Sequence, residues 1–178
     1  MPENLSDLRL LLEKGYKSLR HERELFHSNA RNRNIDLPPT SPLAPSPATE
    51  HDSQLSSLKQ DFRPSCYQYA EWMISCVDDT RISFANLVLV LWGIEKCYFE
   101  AFSYVKHEEA YRSPEFDEGY RKFVEWWTAA EFGKYIDELE DGFNAVREKG
   151  EAWNEEQGGE LMRVMLEHEA SFWASAFS

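Results

Sequence analysis

Glu22, Glu95 and Glu169 occupy positions that helical spacing assigns to a buried face. Steps of four and three residues through the most apolar stretch of the chain join Phe84, Val88, Leu91, Glu95, Tyr98, Phe102 and Val105, and Glu95 is the polar exception. A stretch that is apolar nearly all round is a helix buried in a core. Glu22 interrupts a second seam, Leu5, Leu8, Leu12, Gly15, Leu19, Glu22 and Phe26, and Glu169 lies between Met165 and Phe172 on the inward face of the last helix. A bare carboxylate at such a place is costly, so it must be paired, hydrogen-bonded or protonated. Taken singly, each glutamate has an ordinary reading: an ion pair with arginine or lysine, or a side chain reaching past the edge of its stripe. Converging in one interior, the carboxyls raise one another's pKa, and one can act as general acid while another remains a base.

Two chemistries fit such a set. In the first, the carboxylates bind and hydrolyse a small polar ligand, with Tyr69 and Tyr98 as hydrogen-bonding phenols and Trp127 as a stacking wall. In the second, they hold two metal ions, as helical bundles do with paired Glu-x-x-His motifs. The chain has Glu24-x-x-His27 but no second pair, since His168 beside Glu169 has the wrong spacing. Half the ligand set is absent, so the expectation is no metal and no cofactor. Cys97 lies beside the Glu95 seam with no histidine near in sequence, and it is read as a small inert hydrophobe, as are Cys66 and Cys76.

The elements that must position these groups are helices. The first runs from about residue 6 to 32. Five of the 8 prolines then fall between Pro38 and Pro47, which excludes a helix there. Residues 36–61 are expected to be a disordered, proline-rich insertion within a single domain spanning 1–178. Pro64 opens a second helix holding Cys66, Tyr69, Ala70, Met73, Cys76 and Val77, and Asp78-Asp79-Thr80 breaks it. A third helix, about 83–107, carries Glu95. A fourth is expected to start near Ser113 and hold Phe116, Tyr120, Phe123 and Val124. Thr128-Ala-Ala-Glu131 reads as a capping box with Trp127 and Phe132 as its hydrophobic staple, which starts a helix at Thr128 that ends at Gly150. Asn154-Glu-Glu-Gln157 is a second capping box, opening a last helix with Leu161, Met162, Met165, Phe172, Trp173 and Ala176 inward. No strand pattern survives, so the fold class is all-α, a bundle of about six helices.

Composition narrows the partners. Lys+Arg total 19 against Asp+Glu 32, a net charge of -13 that opposes binding to phosphate backbones and to anionic leaflets. No apolar run reaches the length of a membrane span, and the N-terminus has no basic region followed by an apolar core. With three cysteines and no disulfide framework, a cytoplasmic location is expected, with neither nucleic acid nor membrane as partner.

Val90-Leu-Trp-Gly-Ile-Glu-Lys-Cys-Tyr-Phe-Glu-Ala-Phe-Ser-Tyr104 resembles the central helix of the TenA (thiaminase II) family, in the heme-oxygenase-like superfamily that includes PqqC. Glu125-Trp-Trp-Thr-Ala-Ala-Glu-Phe132 and Leu166-Glu-His-Glu-Ala-Ser-Phe-Trp173 resemble its aromatic-x-Ser/Thr-x-x-Glu-Phe helix start and its C-terminal Glu-x-x-Phe-Trp motif. Arg20-His-Glu-Arg-Glu-Leu-Phe-His27 and Tyr69-Ala-Glu-Trp-Met73 fit two earlier helices. The resemblance implies salvage of degraded thiamine, with an amine or N-formylamine cleaved from a small-molecule aminopyrimidine. Setting Tyr98 on the family's helix tyrosine puts Ile94 where the common branch has its cysteine. Ile94-Glu95-x-x-Tyr98 therefore resembles the cysteine-less, glutamate-type branch. By carry-over, Glu95 and Glu169 act as acid/base or pyrimidine-binding carboxylates. Tyr69 and Tyr98 hydrogen-bond the substrate, Trp127 stands where many members have a tyrosine, and Glu22 is a further binding candidate. The resemblance also implies an N-terminal truncation, because the family's opening helices, with a Trp-Leu-x-Gln-Asp-Tyr type segment, have no counterpart here. Apolar surface left uncovered would favour a homo-oligomer. Two further readings share the fold: a di-metal carboxylate oxidase, and an inactive bundle that binds a ligand or partner.

Overall fold

Helix α3 (Phe84–His107) is central because it carries the most apolar stretch of the chain, with its charged Lys96–Glu100 pair on one outer face. In the computed structural model, which describes residues 3–35, 63–148 and 153–175, it is surrounded by α1 (Glu3–Asn32), α2 (Pro64–Asp78), α4 (Glu109–Arg112), α5 (Glu118–Trp127), α6 (Ala130–Glu148) and α7 (Glu155–Ala174). Six helices have ten residues or more, α4 is a single turn, and no strand occurs among the described residues. The all-α expectation holds. The proline-rich stretch at 36–61, Gly150 and Ala176 lie outside the described residues.

α3 packs on α6, α7, α5 and α4, while α1 lies on α6 and α2 on α7. The first core cluster joins Leu8 and Leu11 of α1, Ala85 and Val88 of α3, and Leu139, Phe143 and Val146 of α6. A second joins Cys76, Val90 and Leu161, and a third joins Phe102, Val124 and Trp127. Leu139 is fully buried in the first cluster. Leu139→Ala is expected to cost about 3 kcal/mol in urea unfolding, from lost burial plus the cavity left behind.

The helix ends show where local chemistry decides. Ser83 caps α3 by accepting from the Asn86 N–H at 3.2 Å. Asn154 caps α7 by accepting from the Gln157 N–H at 3.0 Å, as its spacing predicts. The Gln157 side chain does not close the box. It accepts from Asn86 Nδ2 at 2.6 Å and donates to the Arg81 carbonyl at 3.3 Å, tying α7 to the start of α3.

Thr128 departs from expectation. Its hydroxyl donates to the Val124 carbonyl at 2.7 Å and so belongs to the end of α5. The next helix starts two residues later, at Ala130, with the Gly133 N–H bonded to the Ala129 carbonyl. The staple forms all the same, with the Trp127 and Phe132 rings edge-to-face at 5.2 Å. The fourth expected helix also starts later than residue 113. Asp117 caps it, accepting from the Tyr120 N–H at 2.7 Å while ion-paired to Arg33 beyond the end of α1. Ser113 instead begins a turn, fastened by Arg121, whose guanidinium donates to the Tyr111 and Ser113 carbonyls and lies over the Tyr111 ring.

Candidate functional site

α1, α3, α5 and α6 leave between them a cavity of about 460 Å³, the size of a small-molecule site. Leu12, Gly15, Leu19 and Glu22 form its α1 wall, nearly three turns of one helical face. Leu91 and Glu95, one turn apart, supply the α3 wall. Trp126 and Trp127 close the α5 side, and Phe132 and Tyr135 the α6 side.

Glu22 and Glu95 meet here from different helices. Both are half-buried. Burial pushes the Glu22 carboxyl up to about 7. Burial, and then the charge of Glu22, push Glu95 up to about 7. Neither carboxyl is ion-paired or hydrogen-bonded to a described residue. The ordinary reading, a buried pair with arginine or lysine, therefore does not hold for these two. Carboxyls held protonated to near neutrality by burial are the kind of pair in which one group can serve as acid and another as base.

Glu169 lies elsewhere. It is only 4% exposed, does not line the cavity, and has both carboxyl oxygens engaged. The Tyr69 hydroxyl donates to one at 2.6 Å and the Trp173 indole to the other at 3.0 Å. Burial pushes its carboxyl up, against the pull of those two donors. Tyr69 is itself buried, with its phenol raised by burial and by Glu169, and the His168 ring stacks flat on it at 5.3 Å. The structure thus brings Glu22, Glu95 and Trp127 together at the cavity and holds Tyr69 and Glu169 in a packed set beside it.

Tyr98 links the two sets. Its ring stacks on Trp127 at 4.9 Å and lies 5.6 Å from Trp173. Burial raises its phenol first, then the charges of Glu169, Glu22 and Glu95, so all three glutamates act on this one side chain. Trp127 is buried, and its indole N–H has no acceptor among the described residues. The Cys97 thiol is pushed up by burial and by Glu169, away from the reactive thiolate form. No group of three or more His, Cys, Asp or Glu side chains is arranged to hold a metal ion among the described residues, and no helix among them is long and apolar enough to cross a membrane.

Tyr135 and Gly15 are cavity residues that spacing assigned only to core seams. An aromatic at helical spacing reads as packing, and the contact between the two residues needs α1 and α6 side by side. The family model described as the TENA/THI-4/PQQC family matches residues 52–178, a segment that holds Glu95, Glu169, Tyr69, Tyr98 and Trp127 and that α1 precedes. No curated protein and no solved structure matches the chain.

Proposed function

The chain belongs to the TENA/THI-4/PQQC family, and from that premise we propose that it is a hydrolase that cleaves an amine or N-formylamine from an aminopyrimidine by carboxylate acid–base chemistry. Membership supports a thiamine-related, hydrolase-type activity. The observation that carries the finer reading is the unpaired Glu22–Glu95 couple facing an aromatic-walled cavity.

The pyrimidine stacks against Trp126, Trp127 and Phe132, which exclude water from its faces. Glu95, as carboxylate, takes a proton from a water whose oxygen bonds to the exocyclic methylene carbon. The C–N bond breaks, and Glu22, as carboxylic acid, gives its proton to the departing nitrogen. Ammonia or formamide leaves, and transfer of the proton from Glu95 to Glu22 restores the starting state. Glu169, outside the cavity, fixes Tyr69 and Trp173, and the Trp173 ring packs against Tyr98, which backs Trp127.

Incubation with aminomethylpyrimidine and with its N-formyl derivative tests this by following the released ammonia and formamide. Release that depends on Glu95 is expected. Binding of the pyrimidine with no release would leave a ligand-binding bundle in place of an enzyme.

A further inference from the structure

Two tyrosines line the cavity, the exposed Tyr16 and the half-buried Tyr135, and the hydrolytic scheme leaves Tyr135 unused. Tyr135 stands on the α6 stripe next to Ile136 and Leu139, but its hydroxyl reaches across to α1. There it rests against Gly15: a Cβ at residue 15 would overlap the phenol oxygen and lie 3.1 Å from the ring carbon that bears it. The hydroxyl makes no hydrogen bond to a described residue. Gly15 and Glu22 are seven residues apart, so notch and carboxyl share one face of α1. Burial and the nearby Glu95 keep the phenol protonated, hence a donor.

The inner part of the cavity therefore presents two half-buried carboxyls that accept N–H groups and, apart from them, the Tyr135 O–H, a donor with no acceptor among the described residues, while the exposed Lys14, Tyr16, Ser18 and Glu131 stand at its rim. An occupant that satisfies both sides carries amino hydrogens and an in-plane lone pair at different points of one planar rim. An amino-substituted nitrogen heterocycle does so, whereas a carbocyclic amine of the same outline leaves the phenol unpaired. Sites built to hydrogen-bond a particular group discriminate against analogues lacking it, because the buried partner is left unsatisfied.

We propose that Tyr135, seated in the notch at Gly15, is a specificity-determining residue of this cavity, its phenol donating to a ring nitrogen while Glu22 and Glu95 accept from the ligand's amino groups. The proposal rests on the cavity taking an aminopyrimidine, as proposed above, but not on turnover.

Isothermal titration with two probes tests it: 4-amino-5-aminomethylpyrimidine and ortho-aminobenzylamine, which keeps both amino groups and replaces the ring nitrogens by carbon. The wild-type protein is expected to bind the pyrimidine about tenfold more tightly. Tyr135→Phe should erase that preference while leaving the benzylamine affinity within about twofold of wild type. Gly15→Ala should do the same by displacing the phenol, and alanine is the better helix former, so α1 is preserved. A preference that survives either variant overturns the proposal, as does an equal loss for both probes or a wild type that does not discriminate. A wild type that discriminates in this way yet releases no ammonia sustains the role of Tyr135 and sinks the hydrolase.

Discussion

Glu95→Gln is expected to slow ammonia release by about 10²- to 10⁴-fold and, at about pH 8, to stabilise the fold by about 3 kcal/mol. Both effects have one cause. Glutamine keeps the outline of the side chain and removes its proton chemistry. In the folded chain Glu95 titrates near 7, against an ordinary 4.5. A carboxyl raised in this way contributes its full stability below the unfolded value, and that contribution is lost as pH climbs through the folded one. Wild-type stability should thus fall between 4.5 and about 7 and level off above, whereas the variant should trace a flatter curve. Glu22 shifts in the same direction, with a smaller contribution because solvent screens it. Urea unfolding across that range checks the sign. A variant no more stable than wild type at about pH 8 would show that the carboxyl is compensated, and unimpaired ammonia release would remove Glu95 from the chemistry.

Glu169→Ala is expected to destabilise the fold by about 2 to 4 kcal/mol, because it strands the buried Tyr69 hydroxyl and the half-buried Trp173 indole. Glu169→Gln should cost about 1 kcal/mol or less, since an amide can accept from Trp173 and donate to the Tyr69 oxygen. The pair separates structure from chemistry. If Glu169→Gln releases ammonia at near the wild-type rate, the carboxyl serves to fix Tyr69 and the rings around it. If it fails as completely as Glu95→Gln, its acidity takes part in the reaction. Thermal denaturation with ammonia assays on both variants decides between these outcomes.

The helices were legible in the chain because their seams are long and regular. Val88, Phe102, Leu139, Val146, Leu161 and Met165 are all buried, as their spacing requires. The pattern weakens where a seam meets the cavity or solvent. Leu19 and Phe26 continue the α1 stripe but are 48% and 42% exposed, and Val77, which follows the apolar spacing of α2, is 70% exposed. The site was half legible. Spacing identifies an inward glutamate but not which interior space it enters. Glu22 and Glu95 therefore share a cavity, while Glu169 turns to Tyr69. Thr128 shows the limit of local motifs: its hydroxyl could bond forward to Glu131 or back to Val124, and the buried end of α5 takes it. Tyr135 was hidden by its own stripe, since only the tertiary approach of α1, permitted by Gly15, makes its hydroxyl part of a site.

α1 adds a mechanical aspect. It lies mainly against α6, precedes the matched segment, and yet carries one of the two cavity-facing carboxyls. A molecule gripped by Glu22 and Glu95 at once would be a clasp between this helix and the centre of the bundle. Occupancy and the seating of α1 then draw on the same free energy. Amide hydrogen exchange along α1 should slow as aminomethylpyrimidine is added, while α7, which contributes no cavity wall, keeps its pace.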